Sequence, residues 1–178
     1  MKPNIKRLQK LYDFMLTVPS ERFNLRTWGT LDLNTKGSVS SDYVQYDDKV
    51  TSNMLKKFKC GTTACLLGWA ASMPEFNKQG LTLRSDGLDG LNCYGKGEIE
   101  LTVVYKYDKT NNSDESLYSF TAARKFFGLN KDTCCYLFNP ETYNKKYRSK
   151  YYVLRRLKSV IKSGERKPND ITTNWFYA

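Results

Sequence analysis

The sequence predicts an α+β protein: a mainly helical single domain with a small antiparallel β-sheet or hairpin insertion. Three observations predict it. Apolar residues recur at three- and four-residue steps near both ends of the chain, and a glycine-rich middle stretch leads into strict alternation. The third is size. A chain of 178 residues, 40% hydrophobic with 13 Tyr, 9 Phe and 3 Trp, suits one core better than two. One domain is expected over 1–178, with a helical core from 1–77 and 117–166 and a β insertion at 78–116.

From Asn4 to Val18, the residues Ile5, Leu8, Leu11, Tyr12, Met15 and Val18 form the stripe of an amphipathic helix, with Lys2, Lys6 and Lys10 on the wet side. Pro19 ends it. Residues 20–28 read as a compact turn anchored by Phe23, Leu25 and Trp28, and the polar stretch 29–51 as an irregular insertion. In Cys60-Gly61-Thr62-Thr63-Ala64-Cys65-Leu66-Leu67-Gly68-Trp69-Ala70-Ala71, a glycine and hydroxyl residues precede an apolar run, the pattern of a capped helix start. That helix is apolar nearly all round and is expected at the centre, with Ala64, Gly68 and Ala71 as a small-residue stripe.

Five glycines fall between Gly80 and Gly97, and Glu98 to Tyr107 alternates as a strand, with Leu81-Thr82-Leu83 as its pairing partner. Asp108 to Ser116 is turn-rich. Helices follow at Thr121 to Phe127, stopped by Gly128, and at Lys131 to Phe138, before Asn139-Pro140. The last helix, Tyr147 to Lys162, has an apolar stripe of Tyr147, Tyr151, Leu154, Leu157 and Ile161, and a basic one of Arg148, Arg155 and Lys162.

Charge separates the function classes. Lys and Arg number 29 against 18 Asp and Glu, a net +11, and between Lys145 and Lys167 ten basic residues stand against Glu165 alone. Those ten, Lys145, Lys146, Arg148, Lys150, Arg155, Arg156, Lys158, Lys162, Arg166 and Lys167, are the candidate binding residues for nucleic acid or another anionic ligand. Tyr143, Tyr147, Tyr151 and Tyr152 are interleaved with them for stacking on bases. Histidine is absent altogether, which excludes histidine-dependent catalysis. The basic start Met1 to Arg7 runs into alternating residues without a continuous apolar segment, and no stretch has membrane-span length, so a cytoplasmic protein with reduced thiols is expected.

Three blocks, Leu11 to Trp28, Cys60 to Ala70 and Ala122 to Phe138, resemble a family of small proteins from bacteria and their phages that share a Cys-Gly-Thr-x-Ala-Cys-x-x-Gly-Trp-Ala core. The resemblance implies a fold and a phage or mobile-element origin, and it assigns no activity. Cys60, Gly61, Thr62, Cys65, Gly68 and Trp69 are accordingly its structural motif, and the protein would work in the cytoplasm of a bacterial host. The glycine-rich β insertion is longer, and the C-terminus more basic, than the family pattern implies.

The chemical alternatives lack partners. A cysteine at a helix start is activated by the dipole, yet Cys60 has no imidazole to exchange its proton with. The spacing of Cys60, Cys65, Cys93, Cys134 and Cys135 does not suit a zinc site, and Asp86, Asp89, Glu98 and Glu100 lack the spacing of a calcium loop. No catalytic residue, metal or cofactor is expected. The reading is a non-catalytic binding protein for nucleic acid or another anion, the alternative being a phage accessory protein that docks on an acidic host protein.

Overall fold

The computed structural model describes residues 2–26, 30–32, 49–50, 63–85, 98–106 and 116–165. It is a mainly helical α+β domain. Helix α1 (Ile5–Thr17) starts where the Asn4 side chain accepts a hydrogen bond from the Arg7 amide at 3.1 Å, which satisfies one of the unpaired first-turn donors. Its inner face, Leu8, Leu11 and Met15, is fully buried, each residue contributing about 2 kcal/mol of burial. The chain leaves at Val18-Pro19 as expected and makes one 3-10 turn, Ser20–Arg22.

Residues 29–51 are read from the sequence as irregular, but two short strands lie in that stretch: β1 (Thr30–Asp32) and β2 (Lys49–Val50). Neither has the length for visible alternation. They are strands because they pair with strands that do.

Helix α2 (Leu66–Ser72) has all seven residues buried, the expected central helix, although it begins at Leu66 rather than among the residues around Thr62. A single-turn helix α3 (Pro74–Asn77), not anticipated from the sequence, follows with proline in its first turn, where a missing N–H costs nothing. The Asn77 side chain donates to the carbonyls of Ala71 and Leu81, tying α2 to the start of β3 (Leu81–Ser85).

Strands β3 and β4 (Glu98–Lys106) pair antiparallel with Leu81 opposite Tyr105 and Leu83 opposite Val103, the expected partnership. On the other edge of β4, β1 pairs with its first residues, Thr30 opposite Glu100, and β5 (Ser116–Tyr118) with its last, Val104 opposite Tyr118. β2 closes the outer side of β3. The sheet thus draws strands from both sides of the 78–116 segment, and Leu81, Leu83, Leu101 and Val103 belong to the same hydrophobic cluster as the helices. Alternation puts them on one face.

β5 passes directly into helix α4 (Ser119–Phe127), and the sharp change of direction falls on Ser119 at φ 48°. Gly128 ends α4 in the left-handed conformation, φ 66°, as the sequence indicates. A Cβ there would sit 2.5 Å from the Lys2 carbonyl oxygen, so glycine serves both the turn and the close approach of the N-terminal segment. Helix α5 (Lys131–Phe138) is capped by Asn130, whose side chain accepts from the Thr133 amide at 2.7 Å. Phe76, Phe126, Phe127 and Phe138 join α3, α4 and α5 through ring contacts of 5.0 to 5.9 Å.

The first two sequence blocks meet in space, and the segment ahead of the first reaches the third. The Trp69 indole donates to the Arg22 carbonyl at 3.1 Å, and a parallel bridge joins Phe23 to Ala64. The Asn4 amide donates to the Phe127 carbonyl at 2.7 Å.

Candidate nucleic-acid interface

The basic residues are carried by the 3-10 turn Lys145–Tyr147 and by helix α6 (Lys150–Ser163), which Gly164 ends at φ 80° with its amide on the Val160 carbonyl at 2.7 Å. The buried side of α6 is Val153, Arg156, Leu157 and Val160. This corrects the expected stripe. Leu157 is shared with it, Leu154 and Ile161 lie at its margins, Tyr147 precedes the helix, and Tyr151 faces outward with 67% of its surface exposed.

Arg156 causes the phase error. Expected in the anion-binding set, it is 0% exposed, with Nη1 donating to the Tyr136 carbonyl at 2.6 Å and to the Thr142 hydroxyl at 3.1 Å. Nη2 donates to the Thr142 carbonyl at 3.0 Å, and the guanidinium lies between the rings of Tyr143, 3.5 Å away, and Tyr136, 4.3 Å away. It joins α6 to α5 and to the 3-10 turn Pro140–Thr142. Tyr143, expected among the stacking tyrosines, is buried with it and donates its hydroxyl hydrogen to the Leu137 carbonyl at 3.0 Å.

Two more of the ten are engaged internally. Arg148, mostly buried, pairs through Nη2 with Glu141 at 3.3 Å. The Lys150 ammonium donates to the Val18 carbonyl at the end of α1. Burial pulls its pKa below the ordinary lysine value, an effect that the nearby Glu21 carboxylate partly opposes. Arg166 and Lys167 lie outside the described residues.

Five cations remain exposed: Lys145, Lys146, Arg155, Lys158 and Lys162. Steps of four, three and four residues from Tyr151 through Arg155 and Lys158 to Lys162 confine these side chains to about 60° of helix circumference over roughly 16 Å. Among the described residues none of these three cations has an ion pair or a hydrogen bond. At the head of the stripe, Tyr151 meets Tyr152 at 5.0 Å and 80° between ring planes, Tyr152 meets Tyr147 at 4.6 Å, and the Lys146 ammonium lies 5.0 Å from the Tyr147 ring. The spacing 151, 155, 158, 162 was present in the sequence. Tyr151 also fits the apolar stripe by spacing, and Arg156 is indistinguishable in sequence from the exposed cations beside it.

No family model, curated protein or solved structure matches the chain.

Cys60, Gly61 and Thr62 lie outside the described residues, as do Asp86 and Asp89. Cys65 is the N-cap of α2, its sulfur accepting from the Gly68 amide at 3.5 Å, and Gly68 and Trp69 are buried behind it. Burial pushes its thiol up to about 11, outweighing the amides of Gly68 and Leu67 and its own. Burial likewise takes the Cys134 thiol up to about 12, assisted by Cys135 and opposed by Arg124. Such thiols are poor nucleophiles near neutrality. Among the described residues no three Cys, Asp or Glu side chains cluster, and no helix is long and apolar enough to cross a membrane.

Proposed function

We propose that this is a non-catalytic binding protein, phage-encoded and acting in the cytoplasm of a bacterial host, whose basic C-terminal helix engages nucleic acid. The observation that carries the reading is the stripe of Arg155, Lys158 and Lys162 on α6, neighboured by Lys145 and Lys146. These side chains stand about one helical turn apart, inside the Debye length of roughly 10 Å at 0.1 M salt, so they repel one another until polyanionic phosphate collects them. The resemblance of Cys60 to Ala70 to a bacterial and phage core supports the origin.

The test is binding of labelled DNA and RNA followed by fluorescence anisotropy as salt is raised. Five phosphate contacts give a slope of log affinity against log salt of about −3.5 on single strands or −4.5 on duplex. Replacing Arg155, Lys158 and Lys162 together by Gln abolishes most of the binding while leaving the fold intact. Absence of binding to any of these nucleic acids at about 50 mM salt overturns the reading. Stoichiometric capture of an acidic protein from nuclease-treated lysate would then move the stripe to protein docking.

A further inference from the structure

The head of the cationic stripe bears an aromatic group, and its exposure discriminates between forms of nucleic acid. On the nucleic-acid reading above, we infer that the ligand is single-stranded, with an unpaired base stacked on the Tyr151 ring while Arg155, Lys158 and Lys162 follow the phosphates. Tyr151 is 67% exposed in a helix whose other fully exposed side chains are charged or small and polar. Its neighbour Tyr152 stands nearly perpendicular at 5.0 Å, and Tyr147 packs behind Tyr152 at 4.6 Å, so Tyr151 is supported from one side and open on the rest. Every base offers a π-face, and an aromatic platform beside a run of cations suits a strand whose bases are free. A duplex hides those faces in its own stack. A duplex would therefore use the cations and leave the tyrosine without a role.

The two contributions leave different signatures. Loss of a stacking ring lowers affinity by about five- to hundredfold without altering the number of phosphates neutralised, whereas loss of one cation changes the single-strand salt slope by about 0.7.

The experiment titrates the full chain into fluorescein-labelled oligothymidylate and into a mixed-sequence duplex of equal length, with Tyr151→Ala, Tyr151→Phe and Lys158→Gln compared with the parent. Tighter binding of the single strand is expected, weakened five- to hundredfold by Tyr151→Ala at constant salt slope, and retained by Tyr151→Phe. Lys158→Gln is expected to flatten the slope. Equal or tighter binding of the duplex, or a Tyr151→Ala variant with parental single-strand affinity, overturns the inference while the nucleic-acid reading stands. Absence of binding to both probes overturns the two together. Tyr151 lies outside the core, so thermal melting of its variants is expected to match the parent.

Discussion

The guanidinium carbon of Arg156 lies 3.5 Å from the centroid of the Tyr143 ring, in a site sealed from solvent, while the adjacent Arg155 is exposed. Two neighbouring arginines thus have opposite roles. Arg156→Ala removes the guanidinium donors to the carbonyls of Tyr136 and Thr142 and is expected to cost about 3 kcal/mol or more in urea denaturation. Arg156→Lys restores less than half, because an ammonium cannot reproduce the planar fork. Arg155→Ala changes stability by no more than about 0.5 kcal/mol. Equal effects at the two positions would refute this assignment.

The Trp69 indole spans from the buried helix α2 to the Arg22 carbonyl. Trp69→Phe removes the donor and the pyrrole part of the indole, and a loss of about 2 to 3 kcal/mol is expected. Hydrogen exchange measures its reach. Faster exchange of the Asn24 and Ala64 amides, which form the neighbouring bridge, is the expected local signature.

Gly128→Ala places a methyl group 2.5 Å from the Lys2 carbonyl oxygen and holds an L-residue at φ 66°. A destabilisation of about 2 kcal/mol or more is expected, seen as a lower thermal midpoint. Residues 2–4 would also become more susceptible to protease, since the Asn4 to Phe127 hydrogen bond lies beside the clash.

The two buried thiols set an alkaline limit. Folding raises Cys65 from 9.0 to about 11 and Cys134 to about 12, so the unfolded chain releases these protons first. The stability they contribute is therefore fully present below pH 9 and is lost as pH rises through their folded values. Urea midpoints measured across that range should fall, and Cys134→Ala should reduce the fall. Peptide mapping after iodoacetamide treatment at about pH 8 should find Cys135, which is partly exposed, modified before Cys65 and Cys134.

What was legible in the sequence is what local chemistry decides. The stripe of Leu8, Leu11 and Met15, the stop at Gly128, the break at Asn139-Pro140 and the pairing of Leu81-Thr82-Leu83 with β4 each follow from periodicity or a single special residue. The short strands β1, β2 and β5 were not legible, because their extended form depends on the edge of a distant neighbour. On α6 the helix was evident but its rotation was not. An arginine taken into the core looks from sequence like an arginine on the surface, and only Tyr136, Thr142 and Tyr143 surrounding it reveal the difference.

Strand β4 has one edge completed by two strands from opposite directions along the chain: Thr30 to Asp32 arrives from far upstream and Ser116 to Tyr118 from downstream. β5 follows β4 after residues 107–115, whereas β1 reaches β4 across the length of chain that carries β2, α2, α3 and β3. The β5 half of that edge is a near neighbour in sequence, and the β1 half alone depends on a distant partner. The β1 half rests on contacts from Asp32 to Glu98, far apart in sequence, and is expected to form after the nearer β3–β4 and β4–β5 pairings.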